Sequence, residues 1–245
     1  MSVQFETTYN VSMSCEGCVA DITKAVDSLA GISSVKCDIP TQTVSISGSA
    51  PPSEIVAKIQ NTGREAVIRG SGQSGKGAGV CILENFSKSA CPVNKGEKVV
   101  DLDGISRYVS GLARLIYLTP SSVFLDLTFT PSSFSSTATY SATIRQTGDL
   151  SNPPHSLGPV VANLGELNCK EGRCTLFKQF DMGLYDIIGR SIWISSDANG
   201  DANADGVCGV IARSAGVWDN DKQVCSCTGK NLWQERTEAL GKGIN

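Results

Sequence analysis

Histidine is nearly missing: the 245-residue chain has one, His155. That scarcity excludes a Cys2His2 zinc site, an imidazole-rich copper or iron centre, and most histidine base catalysis. Neither charge dominates. A net charge of -3 offers no basic face to a nucleic acid or an anionic membrane. No apolar run approaches the about 18 residues that a membrane-spanning helix needs. The opening "MSVQFETTYNVSMSCEGC" has no basic start followed by an apolar stretch, so no secretory leader is expected. These absences describe an intracellular protein. What is present is 40% apolar residues, 18% charged residues and 25 glycines, a globular composition that leans towards β structure with many turns. The length suits two modest domains or one large one. There are ten cysteines. In a reducing compartment they are thiols, and short spacings then point to metal or redox chemistry. Cys15/Cys18 and Cys225/Cys227 are spaced in this way.

The first seventy or so residues alternate strand and helix. "QFETTYNV" has the period of two of a half-buried strand. Val19, Ile22, Val26 and Leu29 then fall on one face of a helix that stops before Gly31. "SVKCDI" and "TVSIS" read as strands joined by a turn at 40–42. Ser53 is expected to cap a second helix carrying Ile55, Val56 and Ile59, and "EAVIR" is a last strand. The order βαββαβ is ferredoxin-like. Cys15 and Cys18 lie where the first strand meets the first helix, and a helix N-terminus favours the thiolate, the metal-binding form. Two thiolates on one turn suit a soft ion of low coordination number, Cu(I) best of all. A zinc half-site, a thioredoxin-like couple and inert thiols are the alternatives.

With "MSCEGC" at that junction, the segment resembles the heavy-metal-associated domain. The resemblance implies that Cys15 and Cys18 bind copper, that Met13 packs rather than ligates, and that Arg64 offsets the charge of a dithiolate–Cu(I) complex. Two other motifs lack their context. Gly70, Gly72 and Gly75 have G-x-G-x-x-G spacing, and Lys76 nearly completes a Walker loop, but a β-like run follows where a phosphate-binding helix is required. "DANADG", Asp201 to Gly206, starts like a calcium loop, yet its twelfth position is Ala212 instead of glutamate. The first is expected to be a linker, and the second a solvated acidic loop.

From about residue 78 short alternating runs follow: "GVCILENF", "GLARLIYLT", "VFLDLTF", "YSATIRQ", "RSIWIS" and "GVIARS". Strands without intervening helices indicate a sandwich or Greek-key barrel. In their order these runs resemble Cu/Zn superoxide dismutase, which implies an eight-stranded barrel. The departures carry the function. Thr143, Arg145 and Ser195 stand at dismutase histidine positions, so neither metal site can be built, and no zinc is expected in the barrel. Ile188, Gly189, Arg190, Gly209, Val210 and Ile211 match the dismutase dimer interface, which implies docking onto a dismutase, or onto a second copy of this chain. Edge-of-core residues are the alternative reading. Cys208 matches one dismutase disulfide cysteine, but Pro154 stands near its partner position. Cys169 and Cys174 could each pair with Cys208, or with one another. Cys37 and Cys81 read as buried thiols.

The tail holds Cys225 and Cys227, too close for more than a strained, exchange-prone disulfide, with Lys222 and Lys230 beside them favouring the thiolates. "NLWQERTEAL" could form a terminal helix. The expected organisation is α+β: a copper-binding domain at 1–71, a linker at 72–78, a dismutase-like docking domain at 79–216 and a C-x-C tail at 217–245. Taken together, these parts resemble the copper chaperones for superoxide dismutase, in a fungal-like form. The resemblance implies a cytoplasmic metallochaperone that is not itself an enzyme, with a second pool possible in the mitochondrial intermembrane space. It would pass Cu(I) to the dismutase in a heterodimer and promote its disulfide, with Cys225 and Cys227 as a second pair of Cu(I) ligands and as transfer and thiol-exchange residues. A thiol–disulfide catalyst, or an adaptor stabilising the apo-dismutase, is the rival.

Overall fold

The structure, a computed structural model, describes residues 4–72, 76–85, 99–100, 106–131, 139–196, 206–214, 216, 229–230 and 232–241. Strand β1 (Phe5–Val11), helix α1 (Glu16–Asp27), strands β2 (Ile32–Asp38) and β3 (Thr43–Gly48), helix α2 (Pro52–Gln60) and strand β4 (Ala66–Gly72) follow in the expected order. They form an antiparallel sheet, β2-β3-β1-β4. Ile22 and Val26 of α1 and Ile55 and Ile59 of α2 bury against Tyr9, Val11, Val44 and Ile46. The period of the apolar residues thus sets the helix faces. Gly31, with φ of 88°, takes the left-handed turn that follows α1.

The glycines at 70 and 72 are strand residues: Gly72 pairs with Glu6 and Gly70 with Thr8. The chain is therefore ordered as sheet up to Gly72, and the strand resumes at Ala78, so the expected linker is shortened at both ends. Gly75 lies outside the described residues, as do 201–205 of the acidic loop.

The second unit comprises β5 (Ala78–Asn85), β6 (Val99–Val100), β7 (Ser106–Thr119), β8 (Ser122–Phe129), β9 (Ser141–Arg145), β10 (Val160–Glu166), β11 (Asn168–Lys170), β12 (Arg173–Phe180), the short helix α3 (Leu184–Ile187), β13 (Ser191–Ser195), β14 (Gly206–Val210) and β15 (Ala212–Ser214); helix α4 (Leu232–Gly241) follows. The strand path is β10-β9-β13-β14-β5-β7-β8-β12-β11. Neighbours distant in sequence, such as β5 with β14 and β8 with β12, give the long return connections of a Greek key. The sheet curls into a nearly closed barrel, and Lys178 of β12 donates across the seam to the Leu164 carbonyl of β10 at 3.1 Å. Inward-pointing residues such as Leu83, Leu115, Leu125, Leu127, Ile144 and Ile192 fill it.

Strands β10 and β12 have no counterpart among the expected runs. Both present mostly exposed or half-buried residues, so neither shows the alternation that marks the others. The turn between β11 and β12 settles one open pairing. Glu171 and Gly172 have φ of 50° and 81°, a two-residue hairpin loop that sets Lys170 opposite Arg173 and Cys169 opposite Cys174. Cys169 and Cys174 form a disulfide. Cys208 is instead buried against Trp193 and Leu157.

The two units meet through a buried carboxylate. Helix α2 begins at Pro52, and no side chain of its own caps it. Ser53, the expected cap, lies inside the first turn. Its backbone N–H donates to Asp126 Oδ2 at 2.9 Å and its hydroxyl to Asp126 Oδ1 at 2.7 Å. The cap therefore comes from β8 of the barrel, 73 residues away, because proline at the helix start leaves Ser53 the first free donor. Beside it Phe5 packs on Phe124, with ring centroids 5.3 Å apart, and on Ile116 and Leu118. Phe5, Gly72 and the start of α2 all lie at the barrel end of the first sheet. Val11 and Ala66 lie at its opposite end, about 20 Å away at 3.3 Å per strand residue.

Candidate metal centre

The loop that leaves β1 at that far end carries Cys15 and Cys18. Met13, almost fully buried at 3% exposure, anchors it in the core and points away from solvent. Cys15 occupies the N-cap of α1 in extended conformation, and Cys18 sits in the first turn. The Cys18 N–H donates to the Cys15 carbonyl at 3.0 Å. This tight turn brings the two sulfurs to 3.7 Å, with Ser14 Oγ at 3.7 Å from Cys18 Sγ. Cys15 is exposed and Cys18 half-buried. Among the described residues no group of three or more His, Cys, Asp or Glu is placed to hold a metal.

Arg64 reaches the site from the loop before β4. Its Nη2 pairs with Asp21 Oδ2 at 3.0 Å and its Nη1 donates to the Thr62 carbonyl at 3.2 Å. Held by these contacts, the guanidinium lies against Cys18. The Ser14 backbone N–H, the Arg64 guanidinium, the Ser14 hydroxyl and the Cys15 N–H, in that order, lower the Cys18 pKa to about 6. Two thiols away from the site behave oppositely: partial burial raises Cys37, and full burial pushes Cys81 up to about 12.

A pH dependence follows from the direction of that shift. A thiol lowered to about 6 is about nine-tenths thiolate at pH 7, against a few per cent for an ordinary cysteine. In the reduced, metal-free protein, iodoacetamide should therefore modify Cys18 with a rate that stays high down to about pH 6 and then falls. Arg64→Ala should move that midpoint upward. Peptide mapping of the alkylated protein checks both, and a midpoint for Cys18 near 8.5 would remove the electrostatic basis of the site.

On the barrel the two expected docking segments come together. The Gly189 N–H donates to the Ile211 carbonyl at 2.8 Å, and the Ile211 N–H to the Arg190 carbonyl at 2.8 Å. Arg190 is braced by the Asp186 and Gln146 carbonyls, at 2.8 and 3.0 Å. Not all six residues face outward. Ile211 is fully buried, and Gly209 is buried where a Cβ would run into the Ile82 carbonyl. These two support the surface, while Ile188, Gly189, Arg190 and Val210 present it. Gly148, which motif reading passed over, lies beneath: a Cβ there would meet the Gly189 carbonyl and come within 3.0 Å of the Val210 side chain. Its signal was only a Gly-Asp pair.

Thr143, Arg145 and Ser195 are all buried. Thr143 Oγ1 lies 3.5 Å from the Trp193 carbonyl and Arg145 Nε 2.9 Å from the Gly158 carbonyl. Cys225, Cys227 and Lys222 lie outside the described residues. Asp126, the residue joining the two units, was not among the expected functional residues, since nothing local marks it.

Residues 8–65 match the heavy-metal-associated domain. Along its full length the chain is 38% identical to the superoxide dismutase 1 copper chaperone of Debaryomyces hansenii, covering 100% of this chain and 99% of that protein. It is 34% identical to the protein of the same name from Saccharomyces cerevisiae, over 98% of this chain and 97% of the relative. Identity to the copper chaperone for superoxide dismutase of Mus musculus is 31%, over 96% and 90%. With a two-thiol centre on its first unit, a barrel as its second and full-length identity to these relatives, the chain belongs to the family of copper chaperones for superoxide dismutase.

Proposed function

We propose that this protein binds Cu(I) between Cys15 and Cys18 and delivers it to a Cu/Zn superoxide dismutase, acting as a metallochaperone rather than an enzyme. The observation that carries the reading is the pair of sulfurs 3.7 Å apart at the start of α1, one of them held as thiolate by backbone N–H groups and Arg64. Two thiolates bring a charge of -2 to a +1 ion, and Arg64 offsets the remainder. Soft sulfur ligands at low coordination number select Cu(I) over zinc. Moving Cu(I) between thiolate pairs changes no oxidation state, so the exchange needs only ligands of matched affinity.

Recognition is assigned to the barrel face of Ile188, Gly189, Arg190 and Val210, with Gly209 and Ile211 behind it, forming a heterodimer with one dismutase subunit. The same face would serve a homodimer when no target is present. Cys225 and Cys227 act as the reactive end. Once a two-electron oxidant such as dioxygen or a peroxide has joined them as a disulfide, taking up their two electrons and two protons, a target thiolate attacks it, a mixed disulfide forms, and a second target thiol displaces the chaperone thiol. The target's two thiols are oxidised and the C-x-C pair is reduced, so atoms and electrons balance. The working compartment is the cytoplasm, where Cys15 and Cys18 stay reduced. A second pool in the mitochondrial intermembrane space accords with the Cys169–Cys174 disulfide.

The test is to mix copper-loaded protein with reduced apo-dismutase and follow metal content, disulfide state and dismutase activity. Cys15→Ser/Cys18→Ser should lose Cu(I) from the first site under a competing chelator. Cys225→Ser/Cys227→Ser should keep that site and still dock, but fail to mature the target. Full Cu(I) retention by the first variant would overturn the metal assignment. Maturation at the wild-type rate by the second would overturn the role of the tail.

A further inference from the structure

We propose that Asp21 is a positioning residue of the copper site: it holds the Arg64 guanidinium where that charge offsets the loaded thiolate pair, and so sets how fast Cu(I) leaves. The inference rests on the reading of Cys15 and Cys18 as the Cu(I) ligands and adds to it a residue with no place in the C-x2-C motif.

Asp21 follows Cys18 by three residues on α1, so the two side chains lie on one face of the helix, a turn apart. Arg64 approaches that face from the loop between α2 and β4. Its Nη2 donates to Asp21 Oδ2 at 3.0 Å and its Nη1 to the Thr62 carbonyl at 3.2 Å, and the guanidinium donates to the Cys18 sulfur. The Arg64 side chain is 17% exposed, whereas that of Asp21 is 63% exposed. A long arginine stem left unanchored turns its charge out into water. The Thr62 carbonyl belongs to the same loop as Arg64 and moves with it. Asp21 is the contact that ties the guanidinium to the helix carrying Cys18.

Two roles are open to this carboxylate, and they have opposite signs. As a bare negative charge, Asp21 would repel an anionic dithiolate–Cu(I) complex, and its removal would tighten the site. Acting through Arg64, it keeps a positive charge against Cys18, and its removal loosens the site. The guanidinium touches both the carboxylate and the sulfur, which favours the second role.

The test uses the full-length chain with Cys225→Ser/Cys227→Ser, so that Cys15 and Cys18 are its remaining closely spaced thiol pair. The protein is loaded with Cu(I), and transfer to an excess of a competing chelator is followed by absorbance without oxygen. Asp21→Ala should release Cu(I) about fivefold faster, the scale of an exposed ion pair, and Arg64→Ala at least as fast. In the Arg64→Ala background Asp21→Ala should add nothing, because it acts through the guanidinium. Asp21→Asn keeps an acceptor oxygen for Nη2 and should stay close to the parent rate. Melting curves of the metal-free variants should coincide with the parent, which separates positioning from a structural role. Slower release from Asp21→Ala, or the same increment with and without Arg64, would overturn the positioning role while leaving the metal assignment in place. Cu(I) retained in full by Cys15→Ser/Cys18→Ser would overturn the metal assignment and this inference with it.

Discussion

Asp126→Ala is expected to destabilise the protein by about 3–5 kcal/mol, the usual cost of removing one partner from a buried charged pair. Asp126 is 0% exposed. It accepts two hydrogen bonds from Ser53, at 2.9 and 2.7 Å, and stands 3.7 Å from Arg114. Alanine would leave the N–H and hydroxyl of Ser53 without their acceptor, uncap α2 and strand the Arg114 cation in the junction. Asp126→Asn keeps an acceptor and should cost less, which separates the hydrogen bonds from the charge. Urea unfolding followed by circular dichroism and by tryptophan fluorescence measures both quantities. None of the three tryptophans, Trp193, Trp218 and Trp233, lies in the first unit, so the two probes should coincide in wild type and diverge in Asp126→Ala as the first unit uncouples. Cu(I) binding should survive, since Cys15 and Cys18 lie at the opposite pole of that unit. An unchanged urea midpoint would mean that the junction rests on Phe5 and its neighbours alone.

Val210→Glu should abolish the complex with a dismutase. The face that Val210 shares with Ile188 and Gly189 is apolar apart from Arg190, whose guanidinium is engaged by the Asp186 and Gln146 carbonyls, and on the proposed reading it pairs with the equivalent face of a dismutase subunit. One carboxylate buried in such a two-fold contact costs about 2–4 kcal/mol, or about 30- to 1000-fold in Kd. Gly189→Glu is a poorer test. With φ at 84°, any side chain there strains the backbone whether or not a partner binds. Val210 lies in extended β14 without backbone strain, and since its side chain packs over Gly148, a melting curve of the variant separates lost docking from lost packing. Co-elution from a sizing column and calorimetric titration give the affinity, while chelator competition shows that Cu(I) uptake persists. A Kd within threefold of wild type would place docking on another surface.

Local pattern determined the elements of the first unit and where Cys15 and Cys18 stand. The apolar period of Ile22 and Val26 sets the face of α1, and the two-residue gap between Cys15 and Cys18 sets both thiols on one turn, because neighbours in sequence are neighbours in space over such a span. One histidine in the whole chain likewise rules out any metal site built on several imidazoles, whatever the fold. The pairing of Cys169 with Cys174 was nearly legible, since a two-residue loop containing glycine aligns them, but Cys208 was an equal candidate until the hairpin register was known.

Only the tertiary structure decided the rest. Ser53 looks like a helix cap by every local rule, yet its acceptor is a carboxylate 73 residues away, and no local spacing encodes that meeting. The inward turn of Gly209 and Ile211 and the strands β10 and β12 are of the same kind. Each depends on the register between distant strands or on the way two separately folded units pack. Periodicity carries information over a few residues, whereas a buried charge finds its partner through the path of the whole chain.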